Sequence, residues 1–161
     1  MLIPATVKIL LPLVQTWCEA QERIILRDGA GLTPAQLTDA QKIGVAHPEK
    51  VRLLMVPEIP TPQHPLLVAA IKKVWNGSQV TKGLTLRYGI FIRAEFGNDR
   101  ELVFHELVHT MQYERMGGYR EFLRQYLTEC LTVGYPAAPM ERAAINLTAE
   151  MCPSPTAQPS P

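Results

Sequence analysis

Apolar residues return every three or four positions near the start of the chain, at Val7, Leu10, Val14, Trp17 and Ile24 with Gln21 in the same row. That spacing predicts a long core helix, followed by a turn at 28–31. Thr33 as cap, Pro34 in the first turn and Gln36 as capping-box partner then open a second helix reaching about Gly44. The pattern changes at 51–56, a short apolar run closed by prolines, which reads as a buried strand. Prolines keep the next segment irregular, and a third helix runs from about Pro65 to Trp75, stopping at Asn76 and Gly77. Over 84–93, Leu84, Leu86, Tyr88, Ile90 and Ile92 alternate with Thr85, Arg87, Gly89, Phe91 and Arg93. This alternation predicts one strand with a core face and a mixed face.

Asn98, with Glu101 three residues on, predicts the start of a further helix that ends at Gly117 and Gly118. Tyr119, Phe122, Leu123, Tyr126, Leu127 and Cys130 form a single apolar stripe for the helix after it. GYPAAP breaks that helix, and a last one runs from Pro139 to about Met151. The closing CPSPTAQPSP has no apolar period and reads as a disordered tail. The expectation is one domain over 1–151 and a tail over 152–161. Its class is α+β: helix-rich, with a small sheet containing 51–56 and 84–93 and the 98–117 helix packed beneath it.

Composition narrows the function classes. A chain of 161 residues, 47% hydrophobic and 19% charged, has the makings of one domain with a real core. Its net charge of +1 and lack of long charged runs give no reason to expect nucleic acid or an anionic membrane as partner. No apolar run reaches the ~20 residues of a membrane span. Cys18, Cys130 and Cys152 form no CxxC pair and no disulfide framework, which suggests a reducing compartment and a cytoplasmic protein. LIPATVKILLPLV is apolar enough for a signal peptide, but Lys8 lies late, Pro4 and Pro12 interrupt the run, and the helical spacing continues beyond it.

The candidate chemistry is HELVH, residues 105–109. At ~100° per residue, His105 and His109 project side by side and can share one ion, while Glu106 lies about 60° beyond His109. Two neutral imidazoles and a third protein ligand hold zinc with one position open. Zinc there acidifies water, and a neighbouring glutamate takes the proton as the water attacks a carbonyl. The opposite face of the helix carries Val103, Phe104, Leu107 and Met111, which anchor it in the core.

No histidine or aspartate follows His109, so a downstream third ligand is one of five glutamates or a cysteine. The metzincin pattern is excluded by Gln112 and Arg115, which stand where it needs glycine and histidine. Glu114 points away from His105, and Glu121 and Glu150 oppose the inward faces of their helices. Glu129 lies on the flank of its stripe and stays in play. Glu141 shares the inward half of the last helix with Ala144, Ile145 and Thr148, where a buried carboxylate needs a cation. Small neighbours Ala143 and Ala144 let that helix approach closely. Glu141 is also suited to a first helical turn. The remaining histidines, His47 and His64, read as surface residues, and Tyr113, Tyr119 and Tyr126 as packing.

NDRELVFHELVHTMQYERMGG, followed by GYPAAPMERAA, resembles the zincin metallopeptidases, and within them the gluzincin arrangement of HExxH plus a glutamate on a later helix. It also resembles small bacterial zincin-like domains. The resemblance implies a zinc-dependent hydrolase acting on a peptide or protein, with His105, His109 and Glu141 on Zn2+ and Glu106 as the base. It implies too that the strand before the metal helix pairs with an extended substrate. The chain departs from the pattern in having no aspartate after Glu141 and no later histidine, which leaves Tyr135 and Arg142 as candidate oxyanion stabilisers. An inactive metal-binding or interaction domain on the same scaffold is the alternative reading.

Overall fold

A computed structural model describes residues 4–75 and 81–153. Among them, six helices surround a four-stranded mixed sheet, an α+β arrangement. Helix α1 spans Ala5–Asp28, α2 Pro34–Ile43, α3 Pro65–Trp75, α4 Arg100–Arg115, α5 Tyr119–Val133 and α6 Pro139–Met151. The strands are β1 Ala30–Gly31, β2 Arg52–Val56, β3 Gly83–Leu86 and β4 Gly89–Arg93. Their order is β1-β2-β4-β3, with β2 and β4 parallel and both outer pairs antiparallel.

The sheet is packed on both faces. Leu53, Ile90 and Ile92 join Ala40 and Ile43 of α2, Ala144 of α6 and the α4 residues Val103, Phe104, Leu107 and Met111. Phe91, Leu86 and Leu54 face the other way, against Leu11, Cys18 and Ile25 of α1 and Tyr119, Phe122 and Leu123 of α5. Helix α4 therefore touches both halves of the core, with nine buried residues, and cannot shift without disturbing either.

The strand predicted over 84–93 is two strands. Leu86 pairs with Gly89 across a two-residue turn at Arg87 and Tyr88, so the segment is a hairpin. A turn of two residues leaves the odd–even alternation uninterrupted, which is why periodicity reads through it. Arg87 sits at φ 60°, an uncommon place for a residue with a side chain. Buried Glu22 of α1 holds it there, accepting from Arg87 Nε and Nη2 at 3.1 Å each, from Tyr88 N–H at 3.1 Å and from Tyr119 O–H at 2.9 Å. The expected mixed face of β4 is also corrected, because Gly89 to Ile92 are all buried.

Other boundaries move less. Thr33 and Gln36 exchange the predicted capping-box bonds at 3.3 and 2.9 Å. Asp99, one residue beyond Asn98, caps α4 by accepting from Leu102 N–H at 3.0 Å. The inward row of α1 ends on Cys18, Glu22 and Ile25, one position later than Trp17, Gln21 and Ile24, since 3.6 residues per turn drift against a fixed step. In β2 only Leu53 is buried and Met55 is exposed, so the strand is less enclosed than its apolar run suggests. Cys152, assigned to the tail, packs in the core with Ala144 and Val108. The predicted stop at Asn76 and Gly77 and residues 154–161 of the tail lie outside the described residues. Among the described residues no helix is long and apolar enough to cross a membrane.

Candidate metal centre

Helices α4 and α6 bring together three side chains that could hold a metal ion. His105 and His109 are one turn apart on α4, with their Nε2 atoms 3.1 Å from each other. Glu141, in the first turn of α6, spreads its carboxylate across the pair, with Oε1 2.9 Å from His105 Nε2 and Oε2 3.2 Å from His109 Nε2. Zinc bonds of about 2.0–2.1 Å in a tetrahedron place ligand atoms roughly 3.3 Å apart, close to these three separations. Glu141 is 2% exposed, His109 is buried and His105 is partly open. A cleft of ≈ 510 Å³ between Lys82, the first turns of α4 and the far half of α6 reaches His105.

The glutamates considered as ligands now have distinct places. Glu114 accepts the backbone N–H groups of Ala46 and His47 at 2.7 and 3.0 Å, and Tyr88 O–H at 3.1 Å. Glu121 pairs with Arg124 on α5, and Glu150 is exposed. Glu129 accepts Met140 N–H at 2.7 Å and so caps α6 from α5. Met140 precedes Glu141, so Glu129 helps place the Glu141 carboxylate. Of the two small neighbours, Ala144 is fully buried at the α4–α6 contact while Ala143 is exposed.

Gln112 orders the histidines. Its Nε2 donates to Met140 C=O at 3.0 Å, and a carbonyl can only accept, so the amide orientation is set. Gln112 Oε1 then lies 2.8 Å from His109 Nδ1, which must carry the proton. His109 Nε2 either bears a second proton facing Glu141 or offers its lone pair to a cation. Burial works to lower the His109 pKa, but Glu141, Glu106 and Gln112 raise it above the usual imidazole value. Burial works to raise the Glu141 pKa, but hydrogen bonds from both histidines hold the carboxyl well below the ordinary range.

Glu106 lies against the edge strand. Thr85 O–H is 2.6 Å from Glu106 Oε2 and 2.9 Å from the Glu106 carbonyl. A Cβ on Gly83 would stand 2.6 Å from Glu106 Oε1, so only glycine leaves the carboxylate its seat. Tyr126 O–H donates to Glu141 Oε2 at 3.3 Å, while its ring stacks on Phe122. Tyr135 hydrogen-bonds Glu141, and burial together with the Glu141 and Glu106 carboxylates pushes its phenol pKa far above the usual value. Arg142 is exposed on α6. His47 and His64 are exposed as expected, and Tyr113 stacks on Phe122 within the core.

Sequence reasoning missed Thr85, Gln112 and Tyr126 as parts of the site. For Gln112 a signal existed: position i+3 from His109 on a helix lies within reach of its ring. Thr85 offered none, because its contact depends on how the hairpin packs on α4. Comparison with protein-family models, with curated proteins and with solved structures finds no match to this chain, so the reading of the centre rests on its own geometry.

Proposed function

We propose that this protein is a zinc-dependent hydrolase, most specifically a metallopeptidase, with His105, His109 and Glu141 as metal ligands and Glu106 as general base. One observation carries the reading: two imidazole nitrogens and a buried carboxylate converge at 2.9–3.2 Å, with His109 Nε2, the ring nitrogen that Gln112 leaves without an obligatory proton, turned inward. Three electron-donating groups in one buried corner favour a cation among them. Two imidazoles and a carboxylate suit zinc in a site with an open position.

Bound zinc supplies Lewis acidity that makes water a nucleophile near neutral pH. The chain's own residues divide the remaining work. Glu106, held by Thr85 and seated over Gly83, accepts the proton released by the attacking water and returns it to the leaving group. Tyr135, kept protonated and hydrogen-bonded to Glu141, can turn its O–H from that carboxylate to the charge that develops on the carbonyl oxygen. Strand β3 is the outer strand of the sheet beside α4, so an extended peptide pairing along it passes Glu106. That placement supports a peptide substrate over a small ester or amide.

The test is cleavage of a mixed peptide library by zinc-loaded protein, with Glu106→Gln as control. The expected result is cleavage by the parent and loss of ~10² or more in rate in the variant with zinc retained. Equal rates in both would remove Glu106 from the reaction. A zinc-loaded parent that cleaves nothing assigns the protein to the non-catalytic metal-binding class.

A further inference from the structure

Gln112 occupies a place that the metal reading by itself does not require. It is half-buried on α4, three residues after His109, and each end of its amide is engaged. One end meets the side chain of a candidate ligand. The other meets the backbone of Met140, the residue before the third candidate ligand. Met140 is held from a second direction as well, since Glu129 of α5 accepts its N–H at 2.7 Å. Three helices thus meet at one residue, Met140, and Gln112 joins it directly to His109.

We propose that Gln112 is the positioning residue of the centre. It fixes His109 as the Nδ1–H tautomer and ties the ligand-bearing turn of α4 to the turn of α6 that carries Glu141. The proposal rests on the metal reading above, but its first half concerns only which ring nitrogen holds a proton. The physical argument is one of donors and acceptors. Met140 C=O demands a donor, so Gln112 must turn its oxygen to His109, and a neutral imidazole so engaged has its free lone pair on Nε2. That atom faces His105 Nε2 and Glu141. Without this contact the neutral ring can place its proton on Nε2, where it blocks ligation. Partners of this kind orient metal-binding histidines, and losing one costs ~10–100-fold in metal affinity.

Two substitutions separate the role from general packing. Gln112→Met keeps the length and removes both hydrogen bonds, whereas Gln112→Glu keeps an acceptor for His109 Nδ1–H and loses the donor to Met140. The first readout is nitrogen NMR of His109 in metal-free protein at alkaline pH, where the ring is neutral. The second is zinc affinity by competition with a chromophoric chelator. The parent should show the proton on Nδ1. Gln112→Met should lose that preference and bind zinc ~10–100-fold more weakly, while Gln112→Glu should restore the tautomer and most of the affinity. A parent with the proton on Nε2, a Gln112→Met variant with unchanged tautomer and affinity, or a Gln112→Glu variant that fails to restore the tautomer overturns the proposal. If the parent takes up no zinc, the metal reading fails, and the tautomer alone judges Gln112.

Discussion

Two carboxylates are buried to nearly the same degree in this molecule, Glu22 at 3% exposure and Glu141 at 2%, yet they sit among opposite kinds of partner. Glu22 meets four protein donors: two guanidinium N–H groups, a backbone N–H and a phenol. Its charge is matched within the chain and its work is structural, holding the Arg87–Tyr88 turn against α1. Glu141 meets two imidazole nitrogens, of which His109 Nε2 has no obligatory proton, and two phenols, Tyr126 at the long distance of 3.3 Å and Tyr135. Burial of a carboxylate therefore does not mark a metal centre. The chemistry of the groups around it does, because donors complete a carboxylate and lone pairs call for a cation.

The largest effect that sharpens this contrast should come from Glu141→Ala. Zinc affinity should fall by more than the ~10–100-fold that a supporting residue costs, since a ligand itself is lost. Glu129→Ala should fall less, because Glu129 acts on Met140 N–H. Competition titrations on both variants check the ranking, and a larger loss for Glu129→Ala would reverse the assignment.

Glu22→Ala should move the other observable. Removing the clamp leaves Tyr119 O–H and Tyr88 N–H without this acceptor and frees a strained turn, a loss of about 3 kcal/mol of folding stability. Much of the Arg87 side chain is exposed, so the ion-pair share of that figure is small. Urea unfolding measures the loss, and zinc stoichiometry of the folded protein should stay that of the parent. Loss of zinc with unchanged stability would break the comparison.

A pH experiment on metal-free protein separates the pairs further. The depressed Glu141 pKa contributes stability above the unfolded value near 4.5, and that contribution is lost as pH falls. The raised His109 pKa contributes stability below the unfolded value near 6.5, and that contribution is lost as pH rises through the folded value. The stability difference between parent and Glu141→Gln should therefore be greatest between these values and shrink on both sides. A difference that is flat with pH would contradict the pairing.

The smallest effect belongs to Thr85→Val. Losing the hydroxyl bond to Glu106 should cost about 1 kcal/mol of stability. Thermal unfolding reads it, with zinc content unchanged.

Legibility from the sequence followed the range of the interactions. The capping box at Thr33 and Gln36, the anchor face Val103, Phe104, Leu107 and Met111, and the inward setting of Glu141 depend on residues within one helix, and local periodicity exposes them. The Arg87–Tyr88 turn escaped because a two-residue hairpin preserves alternation. Its positive φ depends on Glu22, 65 positions earlier in the chain, which no local window contains. Thr85 and Gly83 around Glu106 escaped for the same reason. Their role arises only when β3 packs on α4. The candidate ligands were visible as residue types, while the residues that contact and orient them became visible only through packing.

The central claim is that His105, His109 and Glu141 together hold a metal ion, and metal content per purified chain tests it most directly. Plasma mass spectrometry after zinc loading and exhaustive dialysis should find one zinc per chain in the parent and in Glu22→Ala. It should find almost none in His105→Ala, His109→Ala or Glu141→Ala, because two remaining protein ligands do not retain zinc through dialysis. A parent free of zinc, or stoichiometric zinc in the histidine variants, would contradict the account.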